Sequence, residues 1–292
     1  MQFLSQLING LQLGSIYALV ALGYSMVYGI IMLLNFAHGD IIMVGGYLAM
    51  LAIGAGVAPA FAVMISIFGC TILAVIIEKG AYKPLRSAPR LSLLITAIGV
   101  SLLLQNLALL IFSANAKPFP GTSILPSGSV SIGGLSIGTT AIITIVVSVV
   151  SMAALTLVVQ KTKIGKAMRA VSEDTEAAQL MGIPVDLIIS VTFAIGSALA
   201  GIGSILFCCR YPLLTPTMGS MLGLKAFIAA VLGGIGSIPG AVVGGFAIGL
   251  AEVFVNSVGL STWTDAVVFG ILIIVLLARP SGFFGRPMVE KV

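Results

Sequence analysis

No residue from Met1 to Gly39 carries a formal charge, with His38 taken as neutral. Five further stretches, Ile41–Ile77, Leu91–Ala116, Pro118–Gln160, Leu187–Cys209 and Ala226–Ala251, are equally free of Asp, Glu, Lys and Arg. A helix that crosses a bilayer needs about 20 apolar residues, so the longer stretches each hold more than one crossing, or a crossing and a loop. Centring one ionised side chain in such a helix costs roughly 2.5–3.5 kcal/mol, which accounts for their scarcity. A chain that is 59% hydrophobic and only 8% charged lacks the ionised groups that a water-facing surface requires. Lipid has to be its solvent. The fold class that follows is all-α, a polytopic transmembrane helical bundle of residues 1–292.

Eleven of the fourteen Lys and Arg residues fall in three short segments: Lys79, Lys83, Arg86 and Arg90; Lys161, Lys163, Lys166 and Arg169; and Arg279, Arg286 and Lys291. Basic residues stay on the cytoplasmic side of a membrane, so residues 78–90, 160–186 and 279–292 are expected there, with an even number of crossings between each pair. Leu91–Phe112 and Gly138–Val159 supply two, joined by an external connection over 113–137 that is rich in Gly, Pro and Ser. Leu187–Cys208, Met221–Ser237, Gly240–Val258 and Asp265–Ala278 supply four more, with 209–220 external. Leu7–Tyr28, Ile41–Gly56 and Pro59–Ile77 precede Lys79. An odd count there puts the N-terminus outside and the C-terminus inside, and the short second segment makes the total eight or nine spans. No basic residue precedes the first apolar run, so it does not read as a signal peptide.

Cys70, Cys208 and Cys209 lie in or beside apolar runs and have neither metal-site nor redox spacing. The net charge of +5 is spent on topology rather than on a nucleic-acid-binding face. Small residues recur every fourth position at Gly10, Gly14 and Ala18 and at Gly245 and Gly249, which reads as close helix packing within one bundle. The run from Gly233 through Gly234, Gly236 and Pro239 to Gly240 is expected to break a helix at membrane depth, against protein or a water-filled path.

The longest polar segment, Lys161–Asp186, reads as one or two short amphipathic helices ending at Gly182-Ile183-Pro184. Ala177, Ala178 and Met181 fall at helical spacing. Such a segment is either an interfacial helix on lipid headgroups or a docking surface for a partner.

Intramembrane ionisable groups are functional candidates. Asn35, His38 and Asp40 follow the first crossing and are placed near the inner face, where Asp40 reads as the side-chain cap of the second helix. Lys225 and Glu252 fall at similar depth on adjacent crossings and are expected to pair. There is no G-x-x-x-x-G-K-[ST] phosphate loop and no nucleophile–base or metal-ligand arrangement, so no catalytic or metal site is assigned.

The string Glu176-Ala177-Ala178-Gln179-Leu180-Met181-Gly182 resembles the EAA-x3-G signature of ABC importer permeases. Its flanks, Gly165 to Val171 with Arg169 and Ile183 to Asp186, resemble the branched-chain amino acid permeases of the LivH type. So do Asn35 to Asp40, Thr96 to Ser101, and Lys225 through Gly233–Ala241 to Glu252. The resemblance implies a permease in the bacterial inner membrane, paired with a second related permease. It further implies two cytoplasmic ABC ATPase subunits, which bind the ATP and Mg, and a periplasmic amino-acid-binding protein. Glu176, Ala177, Ala178, Gly182 and Arg169 then belong to a cytoplasmic coupling helix, and the chain itself holds no cofactor. A urea or short-chain amide importer is the nearest alternative. A secondary transporter or channel is the alternative of another class, although such carriers place carboxylates at mid-membrane and break helices in both halves.

Overall fold

The computed structural model describes residues 2–86, 88–132 and 135–285. Seven of its helices are long and apolar enough to cross a membrane, and two shorter apolar helices, His38–Gly54 and Met218–Gly233, accompany them. Together they account for the expected eight or nine.

In chain order the helices are α1 (Gln2–Ile31), α2 (His38–Gly54), α3 (Pro59–Ile77), α4 (Arg90–Phe112), a single turn α5 (Gly121–Ile124), α6 (Thr139–Lys161), α7 (Lys163–Glu173), α8 (Thr175–Leu180), α9 (Val185–Arg210), α10 (Met218–Gly233), α11 (Ile238–Ser257) and α12 (Thr264–Ala278). Proline marks several starts: Pro59 and Pro239 lie in the first turns of α3 and α11, and Pro184 is the residue before α9, positions where its missing N–H costs nothing. A π-turn at Glu78–Tyr82 and a 3-10 turn at Lys83–Leu85 extend α3.

The centre of the bundle is α1, packed on α11, α9, α10 and α6. Its contact with α11 is antiparallel and made by small residues: Gly10 meets Leu250, Gly14 meets Phe246 and Gly249, Ala18 meets Gly245, and Gly29 meets Gly236. A methyl group added at Gly245 or Gly249 would overlap the backbone of Ala18 or Gly14. Within lipid no hydrophobic effect drives helices together, and close backbone approach supplies the dispersion contact instead. The four-residue spacing therefore serves packing inside the bundle. α2 packs on α3, α9 and α10, while α4 and α12 are held mainly along one side. The other sides of α3, α4, α6 and α12 present Ile76, Leu103, Leu110, Val150 and Leu277 outward, the composition of a lipid-facing girdle.

One end of the bundle gathers the C-terminal end of α1, the end of α6, α7 and the α10–α11 turn around a common cleft. Lys83 and Arg86 meet Asp186 at the start of α9, which brings the first two basic segments to this same end. Arg286 and Lys291 lie outside the described residues. At the opposite end the connection over 113–137 is more ordered than its turn-rich composition suggests. β1 (Lys117–Pro118) pairs antiparallel with β4 (Leu213–Leu214), and β2 (Ser129–Ile132) forms an antiparallel pair with β3 (Leu135–Gly138).

The glycine-rich run from Gly233 to Gly240 interrupts the helical path, as its composition predicts. It is the turn between α10 and α11. Gly234 and Gly236 adopt φ of +100° and +88°, which favours glycine, and Ser237 caps α11 by accepting from Gly240 N at 3.2 Å. Gly236 packs on Gly29, two residues before α1 ends, so the break lies at the helix ends. Small residues there let α10 and α11 touch from Gly233 against Gly240 to Ala229 against Gly244.

Candidate functional site

The polar segment after α6 folds as two short helices. Thr162 caps α7 by accepting from Gly165 N at 3.1 Å, and Asp174 caps α8 by accepting from Ala177 N at 2.9 Å. α7 buries Met168 and Val171 against the bundle and packs on α1, α6 and α9. Arg169, with Ser25, Ser172 and Gly236, lines an open cleft with room of ≈ 70 Å³. Ala178 is buried, and Gly182 takes φ +80° to end the motif.

Glu176 and Ala177 face outward. Beside them Leu180 and Met181 are 89% and 82% exposed. The apolar face expected of Ala177, Ala178 and Met181 is therefore split, with Ala178 inward and Met181 outward. The signature's three variable positions gave no sign that two of them form an apolar tip. Leu180 and Met181 thus form an apolar tip on a polar segment, left uncovered among the described residues.

The second cluster joins four helices. Lys225 Nζ is 2.9 Å from Glu252 Oε1 and 2.9 Å from Asp265 Oδ1, and the Tyr17 hydroxyl donates to Glu252 Oε2 at 2.7 Å. One ammonium thus joins α10, α11 and α12, and the carboxylate it neutralises also holds α1. Pairing of Lys225 with Glu252 follows from sequence depth. Tyr17 and Asp265 do not, because nothing in one sequence brings α1 or the start of α12 to that point.

The third cluster corrects the sequence reading of His38 and Asp40. Asp40 is the third residue of α2 and caps nothing; the N-cap is Ala37, which makes no side-chain bond. Asp40 instead turns to α4, where Oδ2 accepts from the Ser101 hydroxyl and, at 3.3 Å, from Gln105 Nε2. His38 packs edge-on to Tyr24, against Gly23 of α1. Both residues are buried in the bundle and stand well away from its end, because the chain climbs back along α1 over residues 32–37 before α2 begins. Gly39 touches Gly219 and Gly223, so α2 and α10 start side by side. The Asn35 carbonyl accepts from His38 N at 3.0 Å, while its side-chain oxygen accepts from the Tyr82 hydroxyl at 2.7 Å.

Glu78 was not foreseen as a site residue. It is fully buried, paired with Arg86 and accepting from Ser190 at 2.6 Å, while Arg86 also reaches Asp186 at 2.6 Å. This network fixes the end of α3 to the start of α9.

The sequence profile described as "Branched-chain amino acid transport system / permease component" matches residues 6–277. The chain belongs to this family. It is 44% identical to the high-affinity branched-chain amino acid transport system permease protein BraD of Pseudomonas aeruginosa, over 99% of this chain and 98% of that one. Its identity to LivH of Escherichia coli (strain K12) is 41%, again over 99% and 98% of the two chains. A probable LivH of Methanocaldococcus jannaschii is 29% identical over 93% and 89%. Among solved structures, an inward-facing conformation of a metal-chelate type ABC transporter shares the fold, with a TM-score of 0.52 and 16% identity over 93% of this chain and 85% of that one. Family membership and the apolar helices together make this permease a multi-pass membrane protein.

Proposed function

We propose that this permease is one half of the membrane channel of an ATP-driven importer for branched-chain amino acids. It pairs with a second, related permease, receives its amino acid from an external binding protein and is driven by two ABC ATPase subunits that bind the ATP and Mg. The observation that carries this reading is the apolar tip at Leu180 and Met181. It stands on a capped helix that is tied to α9 and, through α7, to α1. Closure of an ATPase groove around that tip would push on the two helices at the heart of the bundle. Full-length similarity to BraD and LivH supports the substrate class.

In this arrangement the end that carries Lys79, Lys83, Arg86 and Lys161–Arg169 faces the cytoplasm, with the N-terminus outside and the C-terminus inside. The test is reconstitution. The permease, co-expressed with its second permease and ATPases and placed in vesicles with the binding protein, should take up labelled leucine only when ATP is enclosed on the side of α8. Uptake by this chain alone, without nucleotide, would make it a secondary carrier. Uptake of urea or a short amide in place of leucine would move it to the neighbouring substrate class.

A further inference from the structure

Gln105 Nε2 lies at the centre of three oxygens from three helices: Ser220 Oγ of α10 at 2.9 Å, Ser101 Oγ of α4 at 3.1 Å and Asp40 Oδ2 of α2 at 3.3 Å. A carboxamide nitrogen has two hydrogens, so three acceptors are one more than it can serve. An alkylammonium has three and carries the positive charge that Asp40 lacks. No Lys or Arg lies within ion-pair distance of Asp40 among the described residues, its Oδ1 has no hydrogen-bond partner, and the residue is fully buried.

Depth matters as much as geometry. Ser101 is about 16 Å along α4 from Arg90 at 1.5 Å per residue, which is half-way across a hydrocarbon core of about 30 Å. Exposed Leu102 and Leu103 flank it. Yet the Gln105–Ser220 bond lies at the chain's surface, so the cluster opens outward between α4 and α10. A carboxylate kept at that depth without a counter-charge is costly, and in an importer as in a carrier it is a candidate for contact with the transported solute.

We infer that Asp40, Ser101 and Ser220 form a cradle for the α-ammonium group of the amino acid in transit, and that the Gln105 carboxamide occupies it when no substrate is there. The inference rests on the importer reading above and deepens it by naming what the permease itself recognises. Binding charge against charge at mid-membrane, with the apolar side chain left among Leu and Ile residues, would carry a zwitterion past the dearest point of the crossing. Gln105, held only by neutral or shared bonds, can leave.

The alternative is a fastener in which Gln105 matters most, because its side chain bonds α2, α4 and α10 at one point. The two roles rank the same variants in opposite order. In the complete complex in vesicles, Asp40→Asn is expected to lower leucine uptake at least about tenfold, the order expected for losing a charge-assisted hydrogen bond. ATP hydrolysis stimulated by the binding protein should persist. Gln105→Ala removes the resident occupant and should lower the leucine concentration needed for half-maximal uptake, whereas Ser220→Ala, at the exposed rim where folding is not at stake, should raise it. The cradle is overturned if Gln105→Ala is as damaging as Asp40→Asn, if Asp40→Asn is harmless, or if it strips the second permease from the complex. Where Asp40→Asn does not assemble, Ser220→Ala decides, and an unchanged half-saturation refutes the cradle. The unaltered complex reports on the importer reading by itself: if it takes up no leucine, both proposals fall, and if it does, the variants judge the cradle alone.

Discussion

Lys225 and Glu252 meet at 2.9 Å with only 12% and 10% of their side chains exposed, and the lysine holds Asp265 at the same distance. Glu252→Gln leaves the ammonium one carboxylate, the more exposed Asp265, and weakens the bond from Tyr17. The expected loss is about 2 kcal/mol, between that of a charged hydrogen bond and that of a broken buried pair. Thermal unfolding in detergent would measure it. The reversed pair Lys225→Glu with Glu252→Lys should not recover full stability, because the new carboxylate would face Asp265. Adding Asp265→Asn should restore it.

At the other end of the bundle, Arg86 and Lys83 both approach Asp186 but differ in what they leave behind. Arg86→Gln strands the buried Glu78 carboxylate and should cost about 3–5 kcal/mol, as for a buried pair that loses one partner. Lys83→Gln removes only a bond between groups 48% and 62% exposed, and should cost about 0–1 kcal/mol. Urea or thermal unfolding of the two variants should separate them clearly.

The apolar tip gives a test that folding does not confound. Leu180→Ser and Met181→Ser change exposed side chains, so yield and unfolding temperature should be unchanged. If the tip is buried in an ATPase groove, each loses about 1.5–3 kcal/mol of contact, and the ATPase should dissociate at least about tenfold more readily. Co-purification at graded protein concentration reads the result.

Glycine is required at some positions and not at others. Gly245→Ala forces a methyl into the backbone of Ala18 and should destabilise by about 1–3 kcal/mol. Gly270, within α12, has no neighbour within 4 Å of where its Cβ would stand. Gly270→Ala should be neutral or stabilising by up to about 1 kcal/mol. Unfolding of the two variants side by side checks the α1–α11 contact directly.

Much of this was legible in the residues because the bilayer imposes one coarse requirement on every helix. Uncharged stretches placed α3, α4, α6, α9, α11 and α12 within a few residues of their observed bounds. The four-residue spacing of Gly10, Gly14, Gly245 and Gly249 identified surfaces that do touch. What failed was depth and direction. Asp40 reads as a cap because an acid in the first turn of a helix usually is one. It turns elsewhere because α2 begins inside the bundle, where Ser101 and Gln105 are the nearest donors. Composition says that a helix stops at Gly233–Gly240, and α10 and α11 do part there, but it leaves out how deep the break lies. Tyr17, Glu78 and Asp265 could not be linked to their partners, since helix rotation and neighbour order are set by packing that a single sequence does not display.

Because α1 is surrounded by elements that lie far along the chain, its synthesis and its enclosure are separated in time. It leaves the ribosome before any other helix described here, yet α9, α10 and α11 begin only about 150 to 210 residues after it ends. Gln12, Ser15 and Ser25, all buried in the finished bundle, must until then face lipid or the insertion machinery. A protein made this way depends on its helices being held near the translocon until the last third arrives. Release of the nascent chain before α11 should leave its first helix as a target for membrane proteases.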